Sequence, residues 1–313
     1  MRVLEKSYAK HSFSFPLSGH KTPFITKTLL KHTISFTILF GLTYILTVKG
    51  PGLKTLLSPL FLLSLSLEFL ILLLISLRIS FLFRSAGEGL SLKTIYTINL
   101  TNRFYTIFLP SLLSEATRAL KYHLYGIKDG RSILFLIVGD RIIGYITFSA
   151  IFLMSILYSA LSKGEYQKQL PILAGILLFV ILTIFLLKRT IKRKVPNHIQ
   201  SKHLLISCLL SVAAQTVILL KYFFIIRLML MINLTFSQVA LFGSASHLSQ
   251  ILPLSLGFFG TKEAFMFFTL NATSGDITKA TSFICIVGFI EVLTGSLGGI
   301  LHLFQWKANK ESR

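Results

Sequence analysis

The chain has 313 residues, of which 53% are hydrophobic and only 14% are charged, and its mean hydropathy is +0.74. A soluble domain carries about 25% charged residues, so this composition excludes a soluble enzyme and predicts an all-α, polytopic integral membrane protein. The formal net charge is +21. Because the basic residues are scattered over short loops, they predict contact with anionic lipid headgroups and not with nucleic acid.

The N-terminal part predicts a tail and two spans. Residues 1–28 are polar and basic, and we expect a cytoplasmic tail, since no small-residue cleavage site follows the first apolar run. Residues 29–48 and 56–77 are apolar runs of the length that crosses roughly 30 Å of hydrocarbon. The next loop is expected to carry the basic residues Arg78, Arg84 and Lys93.

Residues 92–126 do not have the pattern of an ordinary span. Their apolar part is interrupted at Pro110, and a second helix over 111–125 carries Glu115 and Arg118. Proline removes a backbone donor and stops a helix. We therefore predict a re-entrant hairpin that enters and leaves on one side, with Glu115 and Arg118 paired because they lie three residues apart on one helical face.

Four further spans are predicted, at 133–161, 170–187, 204–231 and 277–304. The first contains Asp140 and Arg141, and the last contains Glu291. A charge near the bilayer centre costs roughly 2.5–3.5 kcal/mol on insertion scales, so each needs a partner on another helix. The intramembrane charges that could serve Asp140 and Arg141 are Glu291, Arg103, Lys221 and Glu68.

A second interrupted segment spans 236–270. It is broken at Pro253, passes through Gly257 and Gly260, and restarts with Lys262 and Glu263. A helix N-terminus with free N–H groups beside a lysine suits an anionic phosphate. The alternative is that Lys262 extends to the membrane interface.

The positive-inside rule gives the orientation. Both tails and the basic loops at 78–93 and 188–203 should be cytoplasmic, which requires six full crossings. The two hairpins then open to opposite faces. Corresponding interrupted segments in two halves are typical of inverted repeats with a transport site near the midplane, and the transmembrane domain is expected over 29–304, with a C-terminal tail at 305–313.

Two segments together resemble the family of the lysylphosphatidylglycerol synthase transmembrane region, also called flippase-like domain proteins. The first is Leu-Pro-Ser-Leu-Leu-Ser-Glu-Ala-Thr-Arg at 109–118, followed by Asp140 and Arg141. The second is Leu-Pro-Leu-Ser-Leu-Gly-Phe-Phe-Gly-Thr-Lys-Glu-Ala at 252–264. Ser114, Phe258 and Lys262 depart from the family pattern, and lysine lacks the bidentate fork of arginine.

The resemblance implies translocation of a phospholipid or lipid-linked headgroup across the cytoplasmic membrane of a prokaryote. The expected substrate-binding residues are Glu115, Arg118, Gly257, Gly260, Lys262 and Glu263, supported by Asp140, Arg141 and Glu291. Bifunctional relatives carry a soluble aminoacyltransferase domain after this region, whereas this chain is expected to depend on a separate lipid synthase or glycosyltransferase. We also expect that the chain can form a homodimer.

Two other functions stay open from the sequence. A membrane-embedded transferase would use Glu115 or Asp140 as a base, although the chain has only 11 acidic residues. An accessory subunit would hold a separate synthase without moving lipid. The sequence contains no recognised catalytic motif, metal-ligand spacing or nucleotide-binding motif, so no cofactor and no metal are predicted.

Overall fold

The computed structural model describes residues 58–109, 111–127, 129–163, 201–251, 255–256 and 259–311. Within these ranges the chain forms eight α-helices, α1 Pro59–Ser85, α2 Leu92–Phe108, α3 Ser111–Leu124, α4 Gly130–Lys163, α5 Ser201–Phe224, α6 Phe236–Leu248, α7 Thr261–Ser274 and α8 Ile277–Glu311. The predicted helical class is thus confirmed.

Short irregular elements join some of these helices. A π-helical turn, Ile225–Met229, extends α5, and a 3-10 turn, Ser249–Ile251, follows α6. Two strands of two residues each, β1 Ser255–Leu256 and β2 Phe259–Gly260, pair antiparallel just before α7. This strand pair was not predicted, because runs of two residues carry no readable period.

Four described segments are long and apolar enough to cross a membrane, namely Pro59–Ser85, Ser132–Ser159, Lys202–Met229 and Ile277–His302. They correspond to the second, third, fifth and sixth predicted spans. The predicted spans 29–48 and 170–187 lie outside the described residues, as does the tail 1–28.

One predicted boundary was wrong. Helix α1 continues to Ser85, so Arg78 and Arg84 lie inside this helix and not in a loop, and Arg78 is buried. Lys93, also expected in the loop, lies in the first turn of α2. The helix continues because apolar residues follow Arg78, and Ile79, Leu82 and Phe83 are all buried in the core. A charged residue within this apolar helix is tolerated because Arg78 pairs with a carboxylate inside the protein.

Local chemistry sets several helix ends. Ser58 caps α1 by accepting a hydrogen bond from the Phe61 amide, with Pro59 in the first turn, where its missing N–H costs nothing. Ser91 caps α2 in the same way. Gly275 ends α7 with φ of 65°, a left-handed conformation that glycine adopts without a Cβ penalty.

The surface of the helices is apolar, whereas charges lie inside. Large hydrophobic side chains that are exposed on α1, α4, α5 and α8 include Leu62, Leu134, Met154, Leu209 and Ile300. Buried charged residues include Glu68, Arg78, Asp140 and Lys221. This distribution is opposite to that of a soluble protein, and it suits a bundle whose outer surface faces lipid hydrocarbon.

The helices of the two halves are interleaved. Helix α1 packs along α5, α2 packs against α8, and α6 packs against α4. Within each half, every helix also packs against the next one along the chain. This holds for α1 to α4 in the first half and for α5 to α8 in the second half. The first helix of each interrupted segment therefore packs against a long helix of the opposite half, α2 against α8 and α6 against α4.

A glycine surface on α8 makes the contact with α2 close. A Cβ built on Gly298 would lie 2.0 Å from the carbonyl oxygen of Leu100, and one on Gly295 would lie 3.2 Å from that of Arg103. Backbone cannot yield as a flexible side chain can. The approach of α2, which carries Arg103 into the interior, thus depends on small residues, as is common between membrane helices.

We predict that Gly298→Ala destabilises the fold by about 1–3 kcal/mol, because the added methyl group overpacks the contact between α8 and α2. The midpoint of thermal unfolding in detergent measures the change. Gly89→Ala is the matched control, since a Cβ on Gly89 meets no atom within 4 Å. Equal midpoints for the two variants would contradict the close contact.

Candidate functional site

A cavity of about 370 Å³ lies among the long helices and the two interrupted segments. Its volume is within the roughly 300–1,000 Å³ typical of small-molecule sites. Its lining includes eleven charged residues from α1 to α5, α7 and α8, namely Glu68, Arg78, Arg103, Glu115, Arg118, Asp140, Arg141, Lys221, Lys262, Glu263 and Glu291. These charges form two clusters.

Asp140 is the centre of the first cluster. Its Oδ1 accepts from Arg78 Nε at 2.9 Å and lies 2.6 Å from Arg78 Nη2, while its Oδ2 lies 3.4 Å from Arg118. The side chains of Arg78, Arg118 and Asp140 are each less than a tenth exposed. Arg78 also donates to Ser211 Oγ on α5 at 3.0 Å. One carboxylate therefore compensates two buried guanidinium groups from different helices.

Glu115 extends this cluster towards the open part of the cavity. It pairs with Arg118 at 2.6 Å, as the spacing of three residues predicted, and with Arg141 at 3.1 Å. The Arg141 side chain is 33% exposed, the most exposed of the group. We call Arg78, Glu115, Arg118, Asp140 and Arg141 the arginine cluster.

Glu68 on α1 organises the second cluster. It pairs with Lys221 of α5 at 2.6 Å and with Arg103 of α2 at 3.0 Å. The Glu68 and Lys221 side chains are almost fully buried, at 2% and 3% exposed. Because a lone buried charge is costly, this pair forms a rigid link between α1 and α5.

Lys262 of α7 completes the second cluster. Its Nζ lies 2.9 Å from Glu291 of α8 and 3.3 Å from Glu263. Glu291 lines the same cavity as Lys221 and Arg103, so we group these residues. We call Glu68, Arg103, Lys221, Lys262, Glu263 and Glu291 the lysine cluster. Lys262 is buried and paired inside the protein.

The N-terminus of α7 already has an anionic cap. Glu263 Oε2 accepts from the backbone amide of Gly260 at 2.9 Å. A carboxylate at this position satisfies one of the free N–H groups and interacts favourably with the positive end of the helix dipole. A phosphate at the same amide would have to displace Glu263.

An aromatic stack lines the cavity beside the charges. The His247 ring stacks on Phe148 with a centroid distance of 4.4 Å and on Tyr222 at 5.9 Å. The Tyr222 hydroxyl and His247 Nε2 are 3.0 Å apart. His247 therefore packs as a polar aromatic residue, and no group of three or more metal-binding side chains occurs among the described residues.

The two clusters have corresponding contacts. Arg78 on α1 and Lys221 on α5 are separated by the same number of residues as Glu68 on α1 and Ser211 on α5. Each of the two cations contacts the polar residue on the other helix, since Arg78 donates to Ser211 and Lys221 donates to Glu68. Likewise, Arg118 of α3 contacts Asp140 of α4, as Lys262 of α7 contacts Glu291 of α8. The two halves thus contain similar polar contacts between similarly placed helices.

Most of the predicted site residues come together in this cavity. Glu115, Arg118, Asp140, Arg141, Gly260, Lys262, Glu263 and Glu291 all line it. Gly257 lies outside the described residues.

The partners suggested for Asp140 and Arg141 were wrong. Glu291, Arg103, Lys221 and Glu68 pair within the lysine cluster, whereas Asp140 binds Arg78 and Arg118, and Arg141 binds Glu115. Sequence reasoning missed Arg78 because it follows a run already long enough to span. The signal that could have identified it is the apolar run that continues for five residues beyond it, interrupted by a single serine.

A family model described as the lysylphosphatidylglycerol synthase TM region matches residues 33–299, which is most of the chain. No protein of curated function matches it.

Proposed function

The chain belongs to the lysylphosphatidylglycerol synthase TM region family, and from this premise we propose that it moves a phospholipid or lipid-linked headgroup across the membrane through the charged cavity. The headgroup would enter the cavity while its acyl chains stay in lipid. The family and the apolar helices support an integral membrane protein of lipid metabolism, and the translocation step is the proposed part.

The observation that carries the proposal is the concentration of eleven charged side chains in one cavity of a bundle with an apolar surface. Each charge near the bilayer centre costs roughly 2.5–3.5 kcal/mol on insertion scales. A purely structural role would be served as well by apolar packing, because buried ion pairs seldom stabilise a fold beyond hydrophobic residues of similar volume. Charges in the interior of membrane proteins instead mark paths for polar ligands.

The corresponding contacts of the two halves support inverted repeats around this site. In such transporters the ligand site lies between the repeats, and rocking of one repeat against the other opens it to each face in turn. Each interrupted segment ends near one cluster, since α3 carries Glu115 and Arg118 while α7 carries Lys262 and Glu263.

In the proposed mechanism the headgroup joins the carboxylates as an additional partner of the cations. A phosphate that approaches Arg141 and Arg118 adds an anion beside Glu115 and Asp140, so each guanidinium keeps an ion pair while the headgroup arrives. The barrier to moving the charge is thereby lowered, because no guanidinium is left without an anion. The sequence has no recognised nucleotide-binding motif, so we propose passive or ion-gradient-coupled movement.

We predict that the purified chain in liposomes accelerates the exchange of a fluorescent phospholipid between leaflets, relative to empty vesicles. Arg141→Gln should slow this exchange about tenfold, because a charge-assisted hydrogen bond is worth about 1.5–3 kcal/mol. Quenching of the outer-leaflet fluorophore measures the rate. Arg227→Gln is the matched control, because Arg227 bonds Asn233 and lies outside the cavity.

Exchange no faster than in empty vesicles, for several headgroups and with an imposed ion gradient, would reject translocation. Formation of a modified lipid by the same preparation would favour a membrane-embedded transferase instead. Co-purification of a soluble synthase, without lipid exchange, would favour an accessory subunit.

A further inference from the structure

The two clusters of the cavity differ in their charge balance. Among the described lining residues, six are cationic and five are anionic, so the cavity carries one excess positive charge. The lysine cluster is balanced, because Arg103, Lys221 and Lys262 face Glu68, Glu263 and Glu291. The arginine cluster has three guanidinium groups for two carboxylates. The whole excess charge is therefore local to the arginine cluster.

The geometry of the arginine cluster leaves donors for another anion. Asp140 is shared by Arg78 and Arg118, and Glu115 is shared by Arg118 and Arg141. The Nε of Arg118 is buried and donates no hydrogen bond within the described part of the chain. Arg141 is one-third exposed and contacts a single oxygen of Glu115. Arg118 and Arg141 thus have NH donors that no carboxylate in the described part of the chain uses.

The two lysines of the lysine cluster lack these features, and its one arginine, Arg103, belongs to a cluster whose charges are already balanced. Lys221 and Lys262 are at most 7% exposed and are held within 3 Å of a carboxylate oxygen. The carboxylate of Glu263 also occupies the amide at the start of α7. Lysine is a point charge without the planar fork that matches two oxygens of a phosphate. A phosphate that approached either lysine would have to break a satisfied buried pair.

We propose that the arginine cluster is the binding site for the phosphodiester of a lipid headgroup with one net negative charge, and that the lysine cluster is an internally compensated ion network. This inference rests on the proposed function and assigns its ligand by charge. A monoanionic phosphodiester adds the one acceptor group that balances the cluster, in the geometry that arginine binds bidentately. A headgroup with an additional ammonium would place that cation beside three guanidinium groups, and the repulsion between like charges would weaken its binding.

The clusters lie far enough apart for this difference to be local. Arg78 and Glu68 are ten residues apart on α1, which is about 15 Å along the helix axis at 1.5 Å per residue. Removing one arginine from either cluster changes the total charge of the cavity by the same amount. Only the arginine cluster, however, should lose affinity for a phosphodiester.

The test is calorimetric titration of the detergent-solubilised chain with short-chain phosphatidylglycerol and short-chain phosphatidylcholine, which share the phosphodiester but differ in net charge. The unmodified chain should prefer phosphatidylglycerol by about tenfold, which corresponds to one charge-assisted contact. Arg141→Gln should abolish the preference. Arg103→Gln should keep it, and it is a matched change because the two side chains are similarly exposed, at 33% and 30%, and each pairs with one glutamate.

Equal affinity for the two lipids, or equal loss of preference in the two variants, would overturn the inference. Displacement of the lipid by soluble glycerol phosphate at similar concentration would also overturn it as a lipid site, leaving a site for a free phosphate. Failure of leaflet exchange with the preference intact would reject translocation alone. Rapid exchange without any preference would reject only the charge assignment.

Discussion

Asp140→Asn is expected to lower the free energy of unfolding by about 3–5 kcal/mol, the usual cost of removing one member of a buried ion pair. Asp140 is the carboxylate that pairs with Arg78, and it shares Arg118 with Glu115. The side chains of Asp140, Arg78 and Arg118 are all almost fully buried. The amide keeps the volume but loses the charge, so Arg78 is left without an anion. Titration of the detergent-solubilised protein with SDS, followed by circular dichroism, measures the loss.

A second variant separates charge from packing. In Asp140→Asn combined with Arg78→Met, the uncompensated guanidinium is also removed, and we expect much of the lost stability to return, because methionine fills space without a charge. Retained stability in Asp140→Asn alone would show that the arginine cluster is hydrated and would contradict the buried pairing.

Glu68→Gln is the second variant with a large expected effect, again a loss of about 3–5 kcal/mol. It leaves both Lys221 and Arg103 without an anion at their closest contact, and Lys221 is only 3% exposed. Lys221→Met should cost less, about 1.5–3 kcal/mol, the value of a hydrogen bond to a charged group, because Glu68 keeps Arg103. The same SDS titration ranks the two variants.

The order of these two variants is the critical result. If Lys221→Met is the more damaging, then Arg103 does not compensate Glu68 and the two-partner arrangement is wrong. The combined Glu68→Gln, Lys221→Met variant should be more stable than Glu68→Gln alone, because only the partly exposed Arg103 then lacks its partner.

The stability and transport predictions address different parts of the molecule. Asp140 and Glu68 are buried and each has a buried cationic partner, so the effect of removing either carboxylate is measured as a loss of folding stability. Arg141 is partly exposed in the cavity and has one partner, so its loss should change headgroup binding more than stability. A variant series that shows this separation would support a cavity whose buried charges hold the walls while its exposed arginine meets the ligand.

Local sequence predicted those features of the fold that depend on neighbouring residues. Apolar runs of about 20 residues predict spans because a bilayer core needs that length. Pro110 and Pro253 predicted the interruptions, and described helices end and restart on either side of each. The pair between Glu115 and Arg118 followed from the helical repeat alone, and the family was recognised from the two Leu-Pro segments and their order.

Only the tertiary structure decided which distant charges meet. Asp140 could have paired with any intramembrane cation, and the structure gives it Arg78 and Arg118, leaving Glu68, Arg103, Lys221 and Glu291 to the lysine cluster. Helical periodicity predicts on which face of its helix a residue lies, but it does not predict how deep that residue lies in the bundle or which helix packs against that face. Those are set by close packing of α2 on α8 and of α1 on α5, because glycine and side-chain shape fix how far each helix slides along the next.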